Sequence, residues 1–225
     1  MLIEFRGEVF ILTAGHVIDG FDSGDLMVPH SDNKIESIDG VYSYIKPIAG
    51  RDSDKLDFGY FKLDKHFADS VKRLFYAIPE VEFGTKDHYR EKEFISFGGY
   101  PHRKHNVAGG IASTPNYIYG AYHASLSEYG PLGCDPKLNI VAKFNQKKTI
   151  NPHNGNIQIA PLPHGISGGG VFVWPPAPKE LIPSDRKLIG IGHTYISKHG
   201  YFIGTRLEIV LKAILQNNPQ LAIST

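Results

Sequence analysis

The chain has 225 residues, 41% of them hydrophobic and 12% aromatic, which is ample material for a packed core. Its 24 basic and 23 acidic side chains leave a net charge of +1, without blocks of like charge. That excludes the basic field on which nucleic-acid or anionic-membrane binding depends, so neither partner is expected. The single cysteine, Cys134, rules out an intrachain disulfide and fits a reducing compartment or a chain stable without staples.

The N-terminus lacks a basic stretch followed by an apolar run and a small-residue cleavage site, and no apolar run approaches the roughly 18 residues of a membrane span. A cytoplasmic location is the expectation from these features. In chain order, Leu2 to Phe5 and Val9 to Leu12 read as paired strands about a turn at Gly7, with the predicted strands covering 2–5 and 8–13. The second strand runs into Thr13-Ala14-Gly15-His16-Val17. Predicted strands follow at 26–29, 41–48 and 58–63, the last opened by Asp57. A short helix is predicted over 66–76, and a linker over 76–92. Further strands are predicted at 93–97, 107–113, 117–124, 138–144, 156–160, 170–174, 187–195 and 200–204. Spacing of about ten residues with Gly and Pro turn signals between strands indicates an all-β sandwich or barrel. Residues 206–216 carry apolar side chains at helical spacing and predict a C-terminal amphipathic helix.

Three positions carry a chemical pattern. His16 follows an apolar strand, and imidazole is the side chain suited to act as a base near neutral pH. Asp57 is preferred over Asp52, Asp54 and Asp64 as its partner, because it opens the alternating run Phe58 to Leu63 and so sits at a strand entrance against the core. Ser167 lies in His164-Gly165-Ile166-Ser167-Gly168-Gly169-Gly170, where glycines permit a protruding hydroxyl and close substrate approach. The same string matches the nucleophile elbow of α/β-hydrolases. That fold needs a helix after the serine, whereas Gly168 to Trp174 reads as a strand ending in prolines. Cys134 lies in a turn-rich stretch without a nucleophile context, and the segment from Trp174 to Pro183 reads as a stiff proline-rich loop. His102 and His105 share a loop without metal-ligand spacing; neither a metal nor another cofactor is expected.

At these residues, in the order His16, Asp57, Ser167, the sequence resembles the trypsin-like (chymotrypsin-fold) serine peptidases, and among them bacterial members without disulfides. The resemblance implies two six-stranded antiparallel β-barrels, placed at 1–75 and 93–205 on either side of the linker, with the C-terminal helix completing a second unit over 93–225. It implies a serine endopeptidase acting on polypeptides through an acyl-enzyme, with Gly165 and Ser167 amides forming the oxyanion hole. It implies a substrate pocket walled by the strand from Leu188 to Thr194. There Gly190 and Gly192 leave room, and His193 falls on the opposite strand face by alternation, toward the Asp57 side. Two departures stand out. Ile166 replaces the acid that would pair with a freed N-terminus, so activation by N-terminal insertion is not expected, and Gly170 replaces a common proline. In the resembled family a further segment precedes the first hairpin, so a longer natural N-terminus is expected. A catalytically silent protease-fold binding or regulatory module is the alternative function. The sequence names no regulatory partner or fused sensor domain.

Overall fold

The computed structural model describes residues 1–20, 26–30, 34–47, 50, 55–85, 91, 93–100, 106–108, 111–113, 116–150, 157–175 and 185–222. Asp52 and Asp54, the His102–His105 loop and most of the proline-rich segment lie outside the described residues.

Strands β1 (Leu2–Phe5) and β2 (Glu8–Thr13) form a hairpin in which Phe5 pairs with Glu8. Its two loop residues, Arg6 and Gly7, have φ of 53° and 74°, the backbone twist that keeps adjacent antiparallel strands together. Helix α1 (Gly15–Asp19) follows at once. Strands β3 (Met27–His30) and β4 (Lys34–Ser37) pair only with each other among the described residues, and β5 (Gly40–Tyr44) and β6 (Gly59–Leu63) complete a sheet ordered β1-β2-β6-β5. Helix α2 (Lys65–Lys72) begins where the Asp64 carboxylate accepts the His66 amide at 2.9 Å, satisfying one orphan donor of the first turn. Among the described residues this half is an open four-stranded sheet with a separate hairpin, where a six-stranded ring was expected.

The second half closes. Its ring runs β10-β11-β16-β15-β14-β7 and back, built from β7 (Phe94–Gly99), β10 (Tyr117–His123), β11 (Asn139–Lys143), β14 (Gly170–Val173), β15 (Lys187–Ile196) and β16 (Tyr201–Arg206). The stretch 107–113, predicted as one strand, contributes two short paired strands, β8 (Asn106–Ala108) and β9 (Ile111–Ser113). A short helix, α3 (Leu126–Tyr129), is capped reciprocally by Ser125 and Glu128. Strands β12 (Thr149–Ile150) and β13 (Ile157–Gln158) form a minimal pair. Helix α4 (Leu207–Asn217) buries Leu207, Val210 and Ile214, and a short 3-10 helix (Pro219–Ala222) follows it.

The barrel interior is aromatic: the Phe97 ring stacks on Tyr119 at 5.1 Å and on Phe202 at 4.1 Å. A separate core joins the two halves. Ile3, Phe10, Leu12 and Tyr60 of the open sheet pack with Leu188 and Ile191 of β15 and with Val210 and Ile214 of α4. The helix end reaches back further, since the Asn217 amide donates to Ser43 Oγ at 2.9 Å and to the Tyr60 hydroxyl at 3.0 Å. Burying these apolar surfaces removes them from water at about 25 cal/mol per Å², and this burial is the main force holding the halves together.

Candidate active site

His16 lies in the first turn of α1, directly after β2, so the strand end aims it at the seam between the halves. Its ring Nδ1 is 2.5 Å from Asp57 Oδ2, and its backbone amide donates to Asp57 Oδ1 at 2.8 Å. One carboxylate thus grips both the ring and the main chain of the same residue, fixing ring orientation. The burial is asymmetric: the His16 side chain is 40% exposed and that of Asp57 7%. Burial alone would raise the Asp57 pKa; hydrogen bonds and charge from His16, with a smaller contribution from His193, outweigh it and hold the carboxyl below its ordinary value.

The segment that presents Asp57 is held from the other half. The Asn139 side chain, fully buried in β11, donates to the Lys55 carbonyl and accepts the Asp135 amide at 3.0 Å. Sequence reasoning did not single out Asn139; a polar residue in an otherwise apolar strand, Asn139-Ile140-Val141-Ala142, was the available signal.

Ser167 sits on the loop before β14. Gly165 and Gly168 flank it with φ of 87° and 85°, left-handed conformations that favour glycine. A Cβ on Gly168 would lie 2.7 Å from Thr13 Oγ1 and 2.9 Å from Thr13 Cα, so the serine loop rests directly on the strand end that leads to His16. On its other side the loop is zipped to β15: Gly168 N–H donates to the Gly192 carbonyl at 2.8 Å, and Gly192 N–H to the Gly169 carbonyl at 2.9 Å. These contacts bring the His16, Asp57 and Ser167 segments to one seam. The Ser167 hydroxyl donates to the His193 carbonyl at 3.1 Å, so its single proton is not donated to His16 in this conformation. Ile166, which stands in place of the pairing acid, is buried in the barrel core.

Alternation placed His193 on the strand face opposite Gly192, toward the Asp57 side; what alternation did not show is a bulge, since pairing with β16 steps from Gly192↔Gly204 to Thr194↔Ile203 and leaves His193 as an extra residue. A bulge re-aims side chains and interrupts the ladder. Here it carries the buried His193 ring within electrostatic reach of Asp57 and directs its carbonyl to Ser167. Gly190 and Gly192 do not leave open room. A Cβ on Gly190 would overlap Ile140 Cδ1 and the Thr205 carbonyl oxygen, and one on Gly192 would overlap the Phe202 ring. A cavity of about 420 Å³ lies elsewhere along the seam, lined by Thr13 and Val17 on one side and by Gly99, Tyr100, Ile166 and Ser167 on the other. Among the described residues no cluster of three or more His, Cys, Asp or Glu is placed to hold a metal ion. No described helix is long and apolar enough to cross a membrane.

No protein-family model matches the chain, and no curated protein matches it. Solved structures do. A serine endoprotease from Yersinia pestis aligns over 95% of this chain at 13% identity with a TM-score of 0.52, and the chain spans 55% of that protein's length. Kallikrein-related peptidase 10, solved with Zn2+, aligns over 97% of this chain and 88% of its own at 12% identity, with a TM-score of 0.56. At such identities the likeness carries the fold alone. Together with the closed six-stranded ring and the terminal helix, it gives this chain the trypsin-like serine-protease fold.

Proposed function

We propose that the protein is a serine endopeptidase with Ser167 as nucleophile, His16 as base and Asp57 as the residue that orients His16, within a two-barrel architecture whose first barrel is the open sheet described above. The observation that carries this reading is the doubly hydrogen-bonded Asp57–His16 pair, placed after the strand end on which the Ser167 loop rests. In the reaction, a substrate displaces the Ser167 hydroxyl from the His193 carbonyl. Its proton passes to His16 Nε2 as Oγ bonds to the scissile carbonyl carbon. The oxyanion takes hydrogen bonds from the Gly165 and Ser167 amides, and stabilisation of this kind is worth roughly 10² to 10³ in rate per donor. The proton then moves from His16 to the leaving amine as the C–N bond breaks. Water, deprotonated by the same imidazole, releases the acyl group.

A second reading, a catalytically silent protease-fold binding or regulatory module, is favoured by the Ser167 hydroxyl donating to His193 in place of His16. A fluorophosphonate probe separates the two. Covalent labelling of the wild type that is lost in Ser167→Ala supports the peptidase, and an unlabelled, folded wild type supports the silent module.

A further inference from the structure

The cavity of about 420 Å³ beside Ser167 does not end at the seam: Leu26, Val28, Ile38 and Phe61 of the open half line it as well. Ile38 and Phe61 are buried in the core under the open sheet, while Leu26 and Val28 pack against that core and keep part of their surface in water. The reason lies in the strand pairing. Val28 sits on β3, which hydrogen-bonds only to β4 among the described residues, so strand pairing does not seal this side of the open half. The cavity therefore joins the nucleophile loop to the apolar core of the half that carries His16. On the barrel side Tyr100 and Ile118, 51% and 52% exposed, line the same space. Large apolar side chains held in water beside an apolar cavity mark a surface that takes a partner group. Among the described lining residues Arg186 alone is charged, and its guanidinium lies over the Phe172 ring at 4.4 Å. No acid lines the space to pair with a cationic side chain.

We infer that this cavity is a binding site for one large apolar side chain of the polypeptide substrate, such as leucine, methionine or phenylalanine, which completes the core of the open half. This rests on the peptidase reading above. The carbonyl carbon bonded to Ser167 Oγ stands at the cavity wall, and an extended chain advances only about 3.3 Å per residue. The side chain that enters thus belongs to a residue within two of the cleaved bond. The volume is at the low end of the roughly 300–1,000 Å³ of ligand pockets, which suits one side chain and not a folded segment. Burial of a large apolar group there supplies binding that alanine cannot. A lysine would lose its hydration without an acid to replace it.

The test begins with the full chain and a small alkyl fluorophosphonate, followed by a mixed peptide set varied at the two residues on each side of the cleaved bond. At one of those positions, labelled wild type should favour leucine or phenylalanine over alanine and lysine by at least about tenfold in kcat/KM. Val28→Trp fills the cavity from β3 and should bring that ratio close to one. Because a larger side chain on β3 can disturb folding, Ile118→Lys is made in parallel. Ile118 is exposed, so the change costs little stability, and a charge at the cavity should lower the same ratio several-fold. A labelled wild type with no preference for a large apolar residue at any of the four positions overturns the inference while leaving the peptidase reading intact. Folded variants that keep the wild-type ratio also overturn it. A wild type that takes no label removes the peptidase reading and this inference together.

Discussion

The two halves of the molecule solve the same problem differently. In the closed barrel every strand of the ring has a partner on each side, and its interior is an aromatic stack around Phe97. The open sheet leaves β5 with one partner among the described residues, and Val41 and Tyr42 on it are exposed. It is completed from outside: β1 is covered by backbone hydrogen bonds with Ile78, and α4, at the far end of the chain, packs into its core. The half that carries His16 and Asp57 is thus held in place by the half that carries Ser167. Asn139 repeats the lesson at the scale of one side chain, since it sets the Asp57 segment from the barrel side.

The largest expected effect tests whether the two halves contribute one unit of chemistry. Triad members act together, so His16→Ala, in the open half, should cost about as much as Ser167→Ala, in the closed half, on the order of 10⁶ in kcat. Either variant hydrolysing peptides at near-wild-type rates would break the proposed mechanism. Circular dichroism should be almost unchanged for both; melting should be almost unchanged for Ser167→Ala, a small loop residue, and lowered for His16→Ala, which leaves the buried Asp57 carboxylate without the ring that holds it charged.

The bracing itself is tested next. Ile214 is fully buried in the core shared by both halves. Ile214→Ala should cost about 2–5 kcal/mol in urea unfolding, the usual range for emptying such a site. Because the cavity lies between the halves, one cooperative transition at a lower midpoint is expected. Two separated transitions, with the open sheet melting alone, would show that α4 braces it less than the packing indicates.

A smaller effect concerns acid. The folded-state pKa of Asp57 is held below its ordinary value, so the group adds stability that is fully present above the unfolded carboxylate range, near pH 4. That stability is lost as pH falls through the folded value. Wild type should therefore lose stability more steeply than Asp57→Asn on acidification below about pH 4. Parallel acid curves for the two proteins would show that His16 does not hold the carboxylate charged.

What could be read from sequence followed local rules. The first hairpin, the strand before His16, the Asp57 strand and the C-terminal helix each carry their own periodicity and turn residues, and each forms. The three-residue pattern was visible because its glycines and its chain order are local too. What escaped depends on register and space. Nothing in Gly192-His193-Thr194 announces an extra residue opposite β16, so alternation gave the Asp57 side for His193 but not the bulge that carries it. Glycine at 192 suggested room, and only the fold brings the Phe202 ring from the neighbouring strand into it. Helix α1 has five residues, too few to show helical periodicity. Sequence reasoning did not single out α3; its capping signature Ser125-Leu126-Ser127-Glu128 was the available signal, but so short a helix gives no apolar stripe to confirm it.

The finest test compares one substitution at two places. Val173, in β14 of the closed barrel, is 3% exposed, and Val41, on the edge strand β5, is 74% exposed. Threonine is nearly isosteric with valine and equally β-branched, so strand preference changes little in either variant. The difference is the hydroxyl. At position 173 it enters an apolar core and should cost about 1–3 kcal/mol when it finds no partner. At position 41 water hydrates it, and the change should stay within about 0.5 kcal/mol. Urea midpoints of Val173→Thr and Val41→Thr measure both. Equal losses would mean that β5 is covered in solution, and that the open half is less open than its described strands make it.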